Sequence, residues 1–326
     1  MQISHRPRRN RLNANLRDLV AQNHLSTNDL LMPLFFCEGK NIADPIQSMP
    51  GQYRYSIDLM VEKCKELEQL GIKGVSLFPV IDDSLKTPRA EEAVNANGLN
   101  PRGIHAVKSA CPNLIVMTDV ALDPYSSDGH DGIVDKKSGE ILNDETLEVL
   151  AQLALVEAQA GSDIIGPSDM MDGRVDLIRK TLDANNKKNV SIMSYTAKYA
   201  SAFYGPFRDA LDSAPKSGDK KTYQMDFRNS DEALRELKLD EAEGADIVMV
   251  KPGLSYLDII QRFSENTNLP IAAYNVSGEY AMVKAAAQKG WIDAEAIMVE
   301  MLTSFKRAGA DIILTYFAEE FAKLGK

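Results

Sequence analysis

Short apolar runs of strand length alternate with longer amphipathic segments along the whole of this chain. Runs of this kind, nearly continuous in Val, Ile and Leu, are typical of parallel strands whose two faces are both covered. The repeated strand and helix units predict a closed α/β fold, a (β/α)8 TIM barrel, with a doubly wound open sheet as the alternative. The eight predicted strands are residues 30–36, 74–81, 114–122, 162–168, 190–198, 245–251, 270–276 and 310–317.

The segments between the strands carry helix signals. In several of them a glycine directly follows the last helical turn, where a left-handed residue is favoured. No strand is followed by G-x-G-x-x-G or G-x-x-x-x-G-K-[ST], the loops that nucleotide-binding open sheets usually carry. The pattern predicts helices over residues 56–71, 144–161, 231–244 and 293–309, with a short one around 16–22.

The chain divides into an arm and one domain. No Pro/Gly/Ser-rich linker interrupts residues 26–326, so we expect a single catalytic barrel there. The insert at about 199–229 has little periodicity, and loops this long on a barrel are often active-site lids. Residues 1–25 form an N-terminal arm with a basic run at 5–11, which suits docking on an acidic partner subunit or, alternatively, on nucleic acid.

Composition narrows the classes of function. The 326 residues include 37 Lys and Arg against 47 Asp and Glu, a net charge of -10, which disfavours a nucleic-acid surface. Three cysteines without paired spacing suggest neither a disulfide framework nor a cysteine-rich zinc site, so we expect a reducing, cytoplasmic setting. No apolar run approaches the roughly 18 residues that span a bilayer, and we expect no membrane association.

Two lysines close neighbouring predicted strands, Lys198 the fifth and Lys251 the sixth. Active sites of such barrels lie at the carboxyl ends of the strands, so both amines could enter one cavity. Two ammonium groups in a partly desolvated cavity repel each other, which lowers at least one pKa and provides an uncharged amine that can attack a ketone. The alternative is that each lysine pairs with a carboxylate and only shapes the rim.

Other polar residues fall at the same edge. Asp119 and Asp123 share a face of the third strand, and carboxylates without thiols suit Mg2+ or no metal. Arg208 and Lys220 of the insert could hold a substrate carboxylate. Further polar side chains at or just beyond strand ends are Asp131, Ser168, Tyr274, Ser277 and Tyr316.

Several stretches resemble the 5-aminolevulinate dehydratase family, whose members are also called porphobilinogen synthases. The similarity runs nearly from end to end. It includes the arm sequence RPRRNR (6–11) and both lysine motifs. The stretches are TDVALDPYSSDGHDG (118–132), GPSDMMDGRV (166–175), SYTAKYASAFYGPFRDA (194–210), ADIVMVKPG (245–253), YNVSGEYAM (274–282) and GADIILTYF (309–317).

The resemblance implies a hydro-lyase of tetrapyrrole biosynthesis, on the route to heme and chlorophyll. It condenses two 5-aminolevulinate molecules to porphobilinogen with loss of two waters, and Lys198 and Lys251 each form a Schiff base with one substrate. Lys251 would hold the substrate whose carboxylate meets Ser277 and Tyr316. Lys198 would hold the other, whose carboxylate meets Arg208, Lys220 and the nearby Gln224.

The resemblance also assigns the residues around these anchors. Asp119 and Ser168 would lie near the amino end of the first substrate, and Tyr274 would be a further substrate contact. The aromatic residues that would close over both substrates are Phe203, Tyr204 and Phe207.

The sequence departs from the zinc-dependent members of the family at one place. Where those members carry three cysteines, this chain has Ala121, Asp123 and Asp131. We therefore expect no catalytic zinc, and proton transfers fall to Asp123, Asp131, the lysines or water. Members of this aspartate type respond to Mg2+ at an allosteric site, whose glutamate matches Glu236.

The resemblance further implies that the arm wraps a neighbouring barrel, which builds a homo-octamer, with hexamers when the arm moves. Two other functions stay open from the residues alone. A class I aldolase also uses a Schiff-base lysine but needs only one. A non-catalytic, metal-regulated assembly protein would oligomerise with Mg2+ and turn over no keto acid.

Overall fold

The protein is described by a computed structural model over residues 3–325. Parallel strands form a closed barrel in the order β1, β4, β5, β8, β9, β10, β11 and β12, and β12 pairs back to β1 through Leu30 and Ile313. The strands are β1 (Leu30–Cys37), β2 (Ala43–Pro45), β3 (Tyr53–Ser56), β4 (Gly74–Val80), β5 (Ile115–Val120), β6 (Ile133–Val134), β7 (Ile141–Leu142), β8 (Ile164–Pro167), β9 (Ser191–Lys198), β10 (Ile247–Lys251), β11 (Ile271–Asn275) and β12 (Ile312–Thr315).

The predicted (β/α)8 barrel is confirmed, and the open sheet is wrong because the first and last strands pair. Each predicted apolar run contains one barrel strand. All five residues of β11 are buried, as expected for a strand with helices outside and packed side chains inside. Outside the barrel, β3 extends the sheet beside β1, β2 pairs with β3, and β6 and β7 form a small hairpin.

The helices surround the barrel, and the predicted glycine caps are present. Gly161, Gly244 and Gly309 end their helices with φ of 114°, 100° and 111°, where a side chain would strain the backbone. The helices are α1 (Ala14–Leu19), α2 (Ile57–Gln69), α3 (Leu99–Ala110), α4 (Asn143–Ala160), α5 (Arg174–Ala184), α6 (Gly205–Leu211), α7 (Asp231–Glu243), α8 (Leu257–Asn266), α9 (Ser277–Gln288), α10 (Ala294–Ala308) and α11 (Ala318–Ala322).

The arm projects from the barrel. It contains a 3-10 helix, Pro7–Arg11, and then α1, and no residue of either helix is buried. Helix α1 begins earlier than the sequence pattern suggested because the Asn13 side chain accepts the N–H of Leu16 at 2.9 Å and caps it. Residues 1, 2 and 326 of the predicted arm and barrel lie outside the described residues. No helix within 3–325 is long and apolar enough to cross a membrane.

The insert between β9 and α7 lies across the carboxyl end of the barrel. It starts with a 3-10 helix, Ala202–Tyr204, continues into α6, and is irregular from Asp212 to Ser230. Hydrogen bonds from Met225 N to Lys198 O, at 3.0 Å, and from Ala200 N to Met225 O, at 2.8 Å, close it into a loop at its base.

Candidate active site

Lys198 and Lys251 end β9 and β10 and are paired in the sheet register. Their side chains enter one cavity, and both residues are buried, at 6% and 5% exposure. The cavity leaves about 20 Å³ of free space, roughly enough for one water molecule, so the insert is in a closed position. Its lining residues are Asp123, Lys198, Tyr204, Phe207, Arg208, Lys220, Gln224 and Lys251.

Lys251 lies in an aromatic cage. No carboxylate within residues 3–325 comes within 4.0 Å of its Nζ. Burial, together with the positive charge of Lys198, lowers the pKa of Lys251 to about 7, although Asp119, Asp123 and Asp131 act in the opposite direction. Much of this amine is therefore uncharged at neutral pH. The rings around Nζ belong to Tyr274 at 4.6 Å, Tyr195 at 4.9 Å, Phe207 at 5.1 Å and Tyr204 at 5.4 Å.

Lys198 has a different environment. Its Nζ lies 3.0 Å from Oδ2 of Asp131 and also donates to the Ser168 carbonyl. The two amines therefore differ: Lys251 fits the expectation of at least one lowered pKa, whereas Lys198 pairs with a carboxylate, as the alternative supposed for both lysines. Of the two lysines, only Lys251 is without an ion pair to the described residues 3–325.

Asp131 also holds a lid residue. Lys220 Nζ pairs with Asp131 Oδ1 and lies 3.2 Å from Asp123 Oδ2. Burial alone would raise the pKa of Asp131, but the two lysines overcome that effect and hold it well below its usual value. Gln224 Nε2 reaches the same carboxylate at 3.4 Å. The predicted residues of the β5 loop and of the lid thus meet in one charged cluster.

Asp119 lies between the two lysines and Ser168. Burial raises the pKa of Asp119, and the charges of Lys251 and Lys198 counteract the rise. Its Oδ1 is shielded from solvent and has no hydrogen-bond partner within residues 3–325. An unpartnered buried acceptor beside an aromatic-lined amine fits the positively charged amino group of a substrate.

Arg208 is a lid cation in the cavity wall that has no ion pair with residues 3–325. Its guanidinium is half-buried in the cavity wall and forms no hydrogen bond or ion pair within the described part of the chain. Because a guanidinium binds carboxylates through two parallel N–H donors, Arg208 is available to an incoming carboxylate. Lys220 is not available to a substrate carboxylate in this closed state, because it already binds two carboxylates of the protein.

Aromatic lid residues complete the cavity. The Tyr204 hydroxyl donates to the carbonyls of Tyr199, at 2.8 Å, and Lys251, at 3.2 Å. The backbone N–H of Phe207 donates to Ser277 Oγ at 3.0 Å. Phe203 is half-buried, and its carbonyl lies 3.4 Å from the same hydroxyl. Ser277 therefore holds the lid as well as lying in the predicted carboxylate subsite.

Tyr274 and Tyr316 form the floor on the Lys251 side. Their hydroxyls are 3.2 Å apart, and both side chains are buried. The structure brings together near the two lysines every predicted catalytic and substrate-binding residue. Glu236 lies elsewhere, in the wall of a second cavity.

The comparisons with known proteins agree with this site. The sequence matches the profile described as "Delta-aminolevulinic acid dehydratase" over residues 4–324. A chloroplastic delta-aminolevulinic acid dehydratase of Glycine max is 55% identical, over 98% of this chain and 78% of that protein. The enzyme of that name from Synechocystis is 53% identical, over 98% of this chain and 97% of the relative.

A solved structure extends the agreement to three dimensions. The delta-aminolevulinic acid dehydratase (porphobilinogen synthase) of Toxoplasma gondii, in complex with the reaction product porphobilinogen, superposes with a TM-score of 0.97 at 53% identity, covering 99% of this chain and 92% of that one. The chain belongs to the delta-aminolevulinic acid dehydratase family.

Within this dehydratase family fold, Glu236 on α7 lines a cavity of about 490 Å³ behind the lid. Burial raises the pKa of Glu236, Arg174 counteracts this, and the carboxylates of Asp240, Asp172 and Glu232 add to the rise. The oxygen-rich wall suits a hard cation that keeps most of its water, although no group of three or more metal-ligating side chains converges within residues 3–325.

Two tyrosines of the dehydratase site received no role from the sequence. Tyr195 contributes a ring to the Lys251 cage. Tyr223 is bonded through its hydroxyl to the N–H of Asp131, at 3.2 Å, and to Nδ1 of His130, at 3.1 Å. Simple alternation along β9 places Tyr195 and Lys198 on opposite faces of the strand. The sequence pattern therefore gave no reason to place Tyr195 beside the lysines. Tyr223 lies in the irregular part of the lid, where no periodicity indicates which way a side chain points.

The cysteines of this dehydratase lie outside the lysine cavity. Cys64 and Cys111 are buried against the helices outside the barrel, and Cys37 ends β1. Burial raises the pKa of each thiol, which disfavours the thiolate that binds zinc. Asp123 and Asp131 bind Lys220.

Proposed function

We propose that this dehydratase condenses two 5-aminolevulinate molecules to porphobilinogen through Schiff bases on Lys251 and Lys198. The family assignment carries the reaction. The observation that carries the mechanism is the pair of buried amines in one cavity, of which Lys251 has a lowered pKa and no ion pair with the described residues, whereas Lys198 is ion-paired.

Lys251 is suited to form the first Schiff base. Its uncharged nitrogen attacks the ketone carbon of 5-aminolevulinate, the carbonyl oxygen takes up protons and leaves as water, and a C=N bond remains. Asp119, beside both lysines, can exchange the protons of this step. The substrate carboxylate reaches Ser277 and Tyr316, which line the same side.

Lys198 requires activation before it can react. Its proton has an acceptor in Asp131, but that carboxylate is a weak base while Lys220 also binds it. A second substrate whose carboxylate draws Lys220 and Arg208 toward itself would free Asp131 to take the proton of Lys198. The order of binding follows from this charge arrangement, since the second amine becomes reactive only when its substrate is present.

The donor sets support Mg2+ as an effector and no catalytic zinc. Mg2+ would bind at Glu236 and retain several waters. These waters could donate hydrogen bonds to the carboxylates of Asp172 and Glu232. The ion would supply positive charge behind the lid. No step of the condensation uses it.

A homo-oligomer built by the arm is the proposed assembly, an octamer with arm exchange or a hexamer. Leu12, Leu19 and Val20 of the arm are 71%, 81% and 46% exposed in the single chain. The basic residues of the arm complement a chain whose net charge is -10. A neighbouring barrel would cover both kinds of surface. We propose no nucleic-acid or membrane partner.

A reducing compartment is the proposed location, and the cytoplasm is one such compartment. Cys37, Cys64 and Cys111 are free thiols. The relatives of Glycine max and Chlamydomonas reinhardtii are described as chloroplastic.

Borohydride reduction in the presence of 5-aminolevulinate tests the mechanism. We expect mass spectrometry to find substrate attached to Lys251 and Lys198, together with chromogenic pyrrole in the unreduced reaction. Lys284→Met is the matched control, because Lys284 also contacts two aromatic rings but pairs with Glu320 outside the cavity. Pyrrole formation with both lysines unlabelled would refute the Schiff bases, and labelling of one lysine without pyrrole would indicate an aldolase-type reaction.

A further inference from the structure

Glu279 is a fully buried carboxylate that the mechanism above does not use. It lies in the first turn of α9, two residues after Ser277. One of its oxygens, Oε2, accepts the N–H of Val276 at 3.0 Å and the side-chain amide of Asn275 at 2.9 Å. The Val276 contact is an ordinary helix cap, in which a glutamate in the first turn accepts the N–H of the residue that precedes the helix.

The other oxygen of Glu279 accepts hydrogen bonds that a helix cap does not require. Oε1 accepts the N–H of Leu254 at 2.8 Å, and the N–H of Gly253 also donates to the carboxylate. These two residues belong to the turn that immediately follows Lys251 and Pro252. The carboxylate therefore joins the end of β10 to the end of β11 across 25 residues of sequence.

The connection continues to β12. Asn275, which donates to Glu279, accepts a hydrogen bond from Thr315 Oγ1 at 2.8 Å through its own side-chain oxygen. Thr315 directly precedes Tyr316. One carboxylate thus fixes the strand ends that carry Lys251, Ser277 and Tyr316.

The lid also depends on this junction. Ser277 accepts the N–H of Phe207, and a side chain at Gly278 would collide with the backbone of Phe203. The segment from Val276 to Gly278 must therefore stay in place for the lid to close. By contrast, Asp131, Lys220 and Gln224, which surround Lys198, have no contact with Glu279 among the hydrogen bonds of residues 3–325.

We propose that Glu279 is a positioning residue for one of the two substrates, the one bound to Lys251, and that it has no comparable effect on the substrate bound to Lys198. It touches no substrate. It holds the amine of Lys251 in register with the carboxylate subsite of Ser277 and Tyr316. This inference rests on the proposed Schiff bases for its chemical readout.

Glutamine at this position separates the two functions of the carboxylate. All four partners of Glu279 are N–H donors, so both of its oxygens must accept. Burial raises the pKa of Glu279 to about 7, and these donors counteract the rise by favouring the ionised form. An amide offers only one accepting oxygen. In Glu279→Gln the single oxygen can either cap α9 or hold the turn after Lys251, but not both. The NH2 group then faces an N–H donor at whichever of the two places the oxygen does not occupy.

The test compares Glu279→Gln with the wild type by borohydride trapping of 5-aminolevulinate. We expect the trapping rate at Lys251 to fall about tenfold or more, because small displacements of a reacting group are costly, whereas trapping at Lys198 changes less than about twofold. Glu320→Gln, a change of the same type on the neighbouring α11, should alter neither lysine. Equal loss at both lysines, or no loss, would overturn the proposal.

Hydrogen exchange provides a readout that needs no chemistry. In Glu279→Gln the amides in residues 252–256 or 275–279 should exchange faster than in the wild type, and those in residues 168–172 should not. If the wild type itself is not trapped at either lysine, the Schiff-base mechanism fails, and unchanged exchange in both segments of the variant would then refute the role of Glu279 independently. Faster exchange throughout the barrel would show a general loss of stability and would also refute it.

Discussion

Lys198 and Lys251 stand opposite each other on adjacent strands, yet only Lys198 reaches a carboxylate. The same barrel edge therefore presents one ion-paired amine and one whose pKa of about 7 leaves about half of it uncharged near neutral pH. In the proposed mechanism, this difference would give two chemically identical substrates different fates. An enzyme that joins two copies of one molecule asymmetrically needs such a difference.

The charge of Lys198 should control the reactivity of Lys251. Lys198→Gln removes a positive neighbour that lowers the pKa of Lys251. We expect the pKa of Lys251 to rise by roughly one unit, so the acid limb of Schiff-base formation at Lys251 moves to higher pH. The measurement is the borohydride trapping rate at Lys251 as a function of pH.

Lys180→Gln is the control for this shift, because Lys180 is exposed on α5 and pairs with Asp176. It should leave the acid limb of trapping where it is in the wild type. A limb that stays in place or moves to lower pH in Lys198→Gln would contradict the coupling of the two amines.

Removing the buried amine of Lys251 should stabilise the fold. The pKa of Lys251 is about 7 in the folded protein, against 10.5 for a lysine exposed to water in the unfolded chain. Below pH 7 the lysine is charged in both states and the folded state bears the full cost of burying it. That cost declines as the pH rises from about 7 to 10.5 and vanishes above. Lys251→Met should therefore raise the free energy of unfolding by on the order of 2 kcal/mol near pH 6.

The gain of Lys251→Met should shrink by about pH 9, because the wild type then loses most of its burial cost. Thermal unfolding midpoints at the two pH values measure this. Lys289→Met, at an exposed position, should show no such pH dependence. A midpoint for Lys251→Met below that of the wild type at both pH values would show that the lysine is held by interactions that outweigh its desolvation.

Much of the fold could be predicted because it depends on local patterns. Apolar runs and glycine caps specified all eight barrel strands, and residues closing those strands led to the predicted site. Lys198 and Lys251 were found in this way, whereas Arg208 and Lys220 were noted as basic residues of the aperiodic insert. These features follow from periodicity and from the rule that parallel barrels place their sites at strand ends.

The structure departs from the prediction where the local sequence pattern does not determine the geometry of the chain. Between β9 and β10 the register shifts, so Ser194 faces Val248 but Ala197 faces Val250. Three residues of β9 thus oppose two of β10, as in a β-bulge, and alternation fails across it. That is why Tyr195 joins the cage around Lys251.

Contacts between side chains that are distant in the sequence could not be predicted either. Whether Asp131 binds Lys198, Lys220 or a metal depends on how the lid folds over the β5 loop, which no spacing in the sequence reveals. The second oxygen of Glu279, which crosses to Leu254, is hidden for the same reason. Family resemblance identified the participants, and the coordinates identified their partners.

Loss of the Asp131 carboxylate should be costly. Asp131→Asn leaves Lys198 and Lys220 buried with no full counter-charge, and breaking a buried pair in this way costs on the order of 3 kcal/mol. The lowered pKa of Asp131 means that the stabilisation is present above the unfolded value of 3.8 and is lost as the pH falls below it. Denaturant unfolding at pH 7 and near pH 3 should show the deficit narrowing at the lower pH.

Asp219→Asn is the matched control for Asp131→Asn, since Asp219 lies in the lid that Asp131 contacts but is itself exposed. It should be nearly neutral at both pH values. An Asp131→Asn variant as stable as the wild type at pH 7 would indicate that the lysines release their protons without cost, which contradicts an ion-paired Lys198.

Glu236 should decide the response to Mg2+. If the ion binds at Glu236 behind the lid, Glu236→Gln should lose Mg2+ stimulation of porphobilinogen formation while its activity without added metal stays within about threefold of the wild type, because the lysine cavity is separate. Glu265→Gln, an exposed carboxylate on α8, should respond as the wild type does. A zinc-specific chelator should leave wild-type activity intact, since the thiols of this chain lie away from the lysines. Loss of activity with that chelator, or unchanged Mg2+ stimulation in Glu236→Gln, would overturn the assignment.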